Sequence, residues 1–450
     1  MKEVNNARNT ARSVICPSLG SLRTAAQIAM LMLLLASCAV VPPPGSRGEI
    51  LPTPSPQGSA TALATPSVAP AVPPPASPTA ATRAPSPTPT RASPAGTPLI
   101  DDPSFVKLTA VPNQGHHQWW ATDIVLEVRA MDPAKPVEVS YLITDSDATP
   151  ARPTGGVEVR GSNLSAGWDP GKQYYFYTVV GGQAEPHQAA NPQYFPLPHY
   201  RACLMVLGRH GDMYAVFLRE NDGQLTCRVL KGSPFDSLDV PGLAKVTWQE
   251  GDHFEVRSYG NPVEVGLWVN GRYLHDEVAG QAQPDFRANP KSYYLDHYAG
   301  RPSLGMFLLM VARHENLGLI LGNESEGQVG AAVLCGSHGW EKETVEGLAE
   351  LAVLTPRTPG APVKVEVRAT SGGAVEVSHF AFDNTCWQWE VNGRAKPEYA
   401  PNPQSFALKH YTPAFLMVSR YGKAGIFFYN ENDGRVGVLP VGGANTGLQP

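Results

Sequence analysis

The stretch VAGQAQPDFRANPKSYYLDHY, Val278 to Tyr298, occurs three times in the chain. The earlier copy reads VGGQAEPHQAANPQYFPLPHY, Val180 to Tyr200, and the later one VNGRAKPEYAPNPQSFALKHY, Val391 to Tyr411. The three align without a gap. They share Gly, Gln or Arg, Ala, any residue and Pro, then Asn-Pro, and finally an aromatic, a Leu and His-Tyr. A fixed internal period of this kind marks a triplicated module. Within the stretch, Gly, two Pro and Asn-Pro exclude a helix and most central-strand positions, so an ordered, extended crossover is expected.

Working outward, each copy has a pair of strand-like segments upstream: LEVRA and VEVSYLITD, FEVRS and VEVGLWVNG, VEVRA and VEVSHFAFDN. Apolar and polar residues alternate in them, which is the period of a half-buried strand, and Gly or Pro between them suits a turn. A three-strand meander is expected downstream, as in AFLMVSRYGKAGIFFYNENDGRVGVLPV. The spacing from Arg209 to Gly223, Arg313 to Gly327 and Arg420 to Gly434 is constant, so one hairpin geometry is used three times. Asp-Gly favours a tight hairpin because Gly tolerates positive φ. Only Glu341 to Leu354 comes near a helical pattern. The expected fold is all-β: three tandem antiparallel β-sandwich-like repeats at 101–235, 236–345 and 346–450, the first carrying an insertion at 146–177.

The first hundred residues differ in kind. Lys2, Arg8, Arg12 and Arg23 precede an apolar run from Ala25 to Leu35 that is too short to span a bilayer. The run ends in Leu35-Ala36-Ser37-Cys38, which resembles the lipobox of bacterial lipoproteins. The resemblance implies a signal peptide over 1–37, cleavage before Cys38, acyl chains on Cys38, and extracytoplasmic anchoring to a bacterial membrane. Residues 38–100 are mostly Pro, Ala, Ser, Thr and Gly, too poor in apolar bulk to form a core, and are expected to be a disordered stalk.

Net charge is −5, and without the leader's four basic residues and one acid it is −8. No basic cluster follows residue 100, so nucleic acid is an unsuitable partner. The expected partners are the membrane, through lipid, and a glycan or an envelope protein. No cofactor is implied. Cys203, Cys227, Cys335 and Cys386 have no metal-ligand spacing, and their pairing is open: four buried thiols, or one incidental disulfide.

The repeated Asn191, His199 and Tyr200, Asn289, His297 and Tyr298, and Asn402, His410 and Tyr411 suggest an acid–base pair. Three catalytic sites in one chain with no repeated nucleophile are improbable, so a structural role with largely buried histidines is expected. Arg209, Arg313 and Arg420 end strands, and are expected to pair with acids or lie over aromatic rings. In the insertion, Trp168 and the run Tyr174-Tyr175-Phe176-Tyr177 form the candidate contact surface, because a strand with aromatics on both faces has a pair to spare.

The segment FEVRSYGNPVEVGLWVNGRYL resembles the late hairpin of concanavalin-like, laminin-G-type sandwiches, which implies a sandwich and, by analogy, glycan binding. No GxSxG, HExxH, Walker or GxGxxG motif stands in a suitable context. The expected function is non-enzymatic binding or adhesion at the cell envelope. The alternatives are a polysaccharide-acting enzyme, which would show a close carboxylate pair in a cleft, and a plain structural spacer.

Overall fold

A computed structural model describes residues 14–15, 96–116, 122–144, 173–181, 188–250, 252–269, 272–280, 286–295, 303–356, 358, 361–393 and 399–441. Cys38 and most of the expected stalk, Trp168, and His297 with Tyr298 lie outside these residues, as do the side chains of Tyr174 and Phe176.

The described residues are all-β, with no helix among them. One strand order recurs. In the third copy a four-stranded sheet holds Lys342–Val345, Ala349–Leu354, Lys364–Ala369 and Gln404–Ala407. Facing it is a six-stranded sheet in the order Tyr399–Ala400, Cys386–Val391, Val375–Ala381, Ala414–Arg420, Lys423–Asn432, Arg435–Val441. The first copy has the same pair of layers, its small sheet starting at Thr97–Asp101, inside the stretch read as stalk. Leu99 and Ile100 are buried, which explains why the strand begins there. In the second copy the small sheet also carries the two-residue strand Val14–Ile15, parallel to Leu238 and Asp239. The six-stranded sheets of the first two copies join edge to edge at Ser233–Pro234 and Gly330–Ala331.

Each copy has a core between its own two layers, with Phe105, Tyr141 and Phe195 in the first, Phe254 and Phe307 in the second, and Val367, Phe406 and Tyr429 in the third. A fourth core lies on the opposite faces of the six-stranded sheets and draws on all three copies. Tyr175, Trp268 and Phe380, one from each copy, meet there, with ring centroids 5.6 and 5.9 Å apart. The Trp268 indole donates to Asn384 Oδ1 at 2.8 Å. The three copies therefore form one compact unit, so the six-stranded sheets are buried on both faces.

Two local expectations change. The segment pairs LEVRA/VEVSYLITD, FEVRS/VEVGLWVNG and VEVRA/VEVSHFAFDN are not hairpins. In each, the first strand belongs to the small sheet and the second to the six-stranded sheet. The Gly- and Pro-bearing links between them carry the chain from one layer to the other, and the true hairpin of the second copy is Val263–Val269 with Arg272–Val278. Glu341 to Leu354 is also not helical. Gly347 sits at φ 63°, between the strands Lys342–Val345 and Ala349–Leu354, where alternate residues Ala349 and Leu351 are buried. The meanders follow the expected pattern: Asp222-Gly223 and Asp433-Gly434 both take positive φ at both turn positions, the geometry that fits hairpin twist.

Candidate functional site

The repeated signature builds joints rather than active sites. Asn191, Asn289 and Asn402 each precede a cis proline. Each side chain accepts from and donates to one backbone residue at the end of a small-sheet strand: Ala130, Ser258 and Ala369 respectively, at 2.9 to 3.1 Å. The amide thus acts as a one-residue strand partner where the ladder runs out. His199 Nδ1 and His410 Nδ1 bind Glu220 and Glu431, whose other oxygens accept from Gly223 N and Gly434 N. These histidines are less buried than expected. The His199 side chain is partly exposed and that of His410 is 54% exposed, because a buried carboxylate, not a core, holds each ring.

Copies meet at seams, and the seams use one frame. The polar residue of each VEV segment, Glu138, Glu264 or Glu376, alternates as if it faced solvent but is buried against a neighbouring copy. Glu138 accepts from Asn323 Nδ2 at 3.1 Å and Ser325 Oγ at 2.7 Å. Glu264 takes His275 Nε2 at 2.8 Å and Arg313 at 3.6 Å. Arg313 also reaches Asp433 of the third copy at 3.3 Å. Arg420 joins Glu376 at 3.0 Å, Glu390 at 3.5 Å and, across the seam, Asp222 at 3.6 Å. Arg209 instead lies over the Phe105 ring at 4.9 Å and donates to Lys135 O and Ser104 O. Arg219 is fully buried and its Nη2 meets Ser378 across the first–third seam. Burial lowers its pKa to about 10, so it stays charged at neutral pH.

Between the first and third copies the seam holds a cleft of about 610 Å³. The first copy contributes His199, Tyr200, Arg201 and Asp222. The third contributes the loop Gly372-Gly373-Ala374, the side chains of Glu376, Gln388, Glu390, Asn392 and Arg420, and Gly393. Tyr200 and Tyr421 both donate their hydroxyls to Asp222 at the mouth, and Arg420 lies over the Tyr421 ring at 4.6 Å. The hydrogen bond from Tyr200 is the main reason the Asp222 carboxyl is held below its ordinary range, and the same bond is the first cause of the rise of Tyr200 to about 12. The Arg420 guanidinium is desolvated, but Tyr421, Glu376 and Asp222 outweigh that and raise it. Deep in the cleft, Gln388 is 4% exposed and its Oε1 has no hydrogen-bond partner.

One position decides whether a seam is open. Gln388 lies opposite Ser378, His275 opposite Gly266 and Tyr177 opposite Ser140 in the same register, two residues after each repeated Glu. His275 bonds Glu264 and stacks on Tyr411 of the third copy, with centroids 6.3 Å and planes 17° apart. Tyr177 is buried and packs where Gly305 of the second copy leaves room. Gln388 is the smallest and least committed of the three.

Of the candidate contact surface, Trp168 and the side chains of Tyr174 and Phe176 lie outside the described residues, and the two described rings lie inside the fold. Tyr177 fills a seam, and Tyr175 lies in the three-copy core and donates to Ser140 Oγ at 3.1 Å. The face that carries Tyr175 and Tyr177 is therefore turned inward. The cleft residues Gln388, Glu376, Glu390, Asn392, Asp222 and Arg201 were not singled out in the sequence. Only Arg420, His199 and Tyr200 among the lining were. Cys203, Cys227 and Cys386 are buried thiols outside any disulfide, and Cys335 is in a disulfide. Among the described residues no group of three or more metal-ligating side chains comes together. No family model matches the chain, and a search of curated proteins finds no relative.

Proposed function

We propose that the protein is a binding module of the bacterial envelope, held to a membrane through lipid on Cys38 and contacting its ligand in the first–third cleft. The observation that carries this is the state of the cleft's charges. Glu376, Glu390 and Asp222 all converge on one guanidinium, that of Arg420. Each of the three carboxylates is thus already engaged by a fixed partner, and the Asp222 carboxyl is held below its ordinary range, first by the Tyr200 hydrogen bond. Such a cleft offers a ligand fixed hydrogen-bonding groups. The leader resemblance supports the anchor, and an acidic mature chain fits a partner other than nucleic acid.

One observation favours a polysaccharide-acting enzyme instead. Glu376 and Glu390 touch the same Nη1, so those oxygens lie no more than about 6.5 Å apart, a bound that admits the roughly 5 to 5.5 Å of a retaining glycosidase. Incubating the protein with nitrophenyl glycosides separates the two: release of nitrophenol that Glu390→Gln abolishes would establish the enzyme and sink the binding reading. For the anchor, Cys38→Ala is expected to leave the protein unprocessed or released. A variant that is correctly cleaved and still sediments with membranes would refute lipidation at Cys38.

A further inference from the structure

We infer that the first–third cleft takes an uncharged saccharide; this rests on the binding reading above and names its ligand class. Gln388 Oε1 is the first indication. It is a buried acceptor that lines the cleft and has no donor. Its strand is fixed by pairing with Val375–Ala381, so the amide cannot move out to water with its backbone. A ligand hydroxyl or amide N–H entering the cleft satisfies it.

Charge then selects among ligands. Arg420 is already surrounded by Glu376, Glu390 and Asp222, and Arg201 has an interaction of its own, so an anion would meet three carboxylates and guanidinium groups already engaged. A cation would have to compete with that guanidinium for the same carboxylates. An uncharged polyol does neither. Each of its hydroxyls both donates and accepts, which suits a wall of carboxylate, amide and guanidinium groups in alternation.

Shape points the same way. Gly372, Gly373, Ala374 and Gly393 bring bare backbone to the wall, and a β-carbon added at Gly373 would meet nothing closer than 3.7 Å. At the mouth the Tyr200 ring is 38% exposed, and its hydroxyl is tied to Asp222. A ring so tethered offers a fixed apolar face to the C–H face of a pyranose, with little torsional freedom left to lose. The cleft volume of 610 Å³ lies within the usual range for ligand pockets, roughly 300 to 1,000 Å³.

The test is calorimetric titration of the full chain in detergent with cellobiose, maltose, lactose and chitobiose, beside spermidine and citrate as charged probes. The expected result is one-to-one binding of at least one neutral disaccharide. Gln388→His, which installs the side chain of the closed seam, should weaken it at least tenfold, and Tyr200→Ala should do the same. Gly373→Asn, which adds a side chain to the cleft wall where a β-carbon meets nothing closer than 3.7 Å, obstructs the cleft independently should Gln388→His fail to fold. Tyr294→Ala, an exposed tyrosine away from the cleft, should leave affinity unchanged. Thermal melts of each variant check folding. Sugar binding that survives Gln388→His, Gly373→Asn and Tyr200→Ala would overturn the proposal. Binding of spermidine or citrate alone, lost in Gln388→His, would overturn the saccharide and leave the cleft as a binding site. No binding by any probe, with adhesion to isolated envelopes indifferent to Gln388→His, would overturn both.

Discussion

At the seam between the first and third copies, Arg420 gathers Glu376, Glu390 and Asp222 around open space. At the seam between the third and second, Arg313 gathers Glu264 and Asp433 in the same frame, and His275 occupies the place of Gln388. The loops differ too: Gly372-Gly373-Ala374 at the first seam, Gly260-Asn261-Pro262 at the second. The comparison teaches that a repeated joint can enclose open space when one side chain and one loop are exchanged. The strands, the register and the strand-ending Arg are kept, while the filler and the loop beside it differ.

The largest expected effect falls on both seams alike. Trp268→Ala removes a fully buried indole from the core shared by all copies and leaves Asn384 Oδ1 without its donor. A loss of about 4 kcal/mol is expected in denaturant unfolding. Unfolding in separate steps, with two copies intact, would show that the shared core does not couple them.

Next, the seams should respond unequally. Glu264→Gln takes the charge from under both Arg313 and His275 at the closed seam, and about 3 kcal/mol should be lost. Glu376→Gln leaves Arg420 with Glu390 and Asp222, and about 1 kcal/mol is expected. Equal costs would mean that the spare acids at the open seam do not share the load.

Acid sensitivity should lie away from both seams. His379 is buried in the third copy, donating to or accepting from Tyr429 Oη at 2.6 Å, and burial lowers its pKa from 6.5 to about 3. The folded protein keeps it neutral while the unfolded chain binds a proton below about 6.5. Its contribution is therefore complete above pH 6.5 and is lost as pH falls from there towards 3, at about 1.4 kcal/mol per unit. From pH 6.5 to 5 about 2 kcal/mol should disappear, and His379→Phe should remove most of that slope. A slope unchanged in His379→Phe would assign it to other groups.

An effect as small as that of Glu376→Gln sharpens the comparison most. His275→Gln should cost about 1 kcal/mol, through one lost charge-assisted hydrogen bond and a stacking contact. A crystal structure of this variant should show ordered water or solvent where the imidazole stood. Collapse of Tyr411 into the gap would mean that the open cleft also depends on its glycine loop.

Much of the fold was legible because repetition and turn chemistry are local. The meanders, the Asp-Gly turns and the layer-crossing signature follow from residues a few positions apart. The pairing of LEVRA with VEVSYLITD was misread because alternation reports that one face is buried and says nothing about which sheet buries it. The seams were illegible for a related reason. Glu138, Glu264 and Glu376 stand at polar positions of an alternating strand, and such positions normally face water. Here the second face is covered by another copy, so polar alternation marks a joint. The same assumption gave the run Tyr174 to Tyr177 one outward pair, without saying which, and Tyr175 and Tyr177 lie inward. Gln388 carried no signal, since its importance lies in what Tyr177 and His275 do at the matching places.

The copies on either side of the open seam are the first and the last in the chain. Neither is followed directly by the other, whereas the first and second are joined edge to edge through Ser233–Pro234 and Gly330–Ala331. A molecule lodged among Tyr200, Gln388 and Glu390 would touch both ends of the folded body at once and act as a clasp. At a hundred times its dissociation constant it would add about 2.7 kcal/mol to stability. That gain would fall where the chain itself supplies no short tether, so occupancy would be felt as resistance of the whole body to opening.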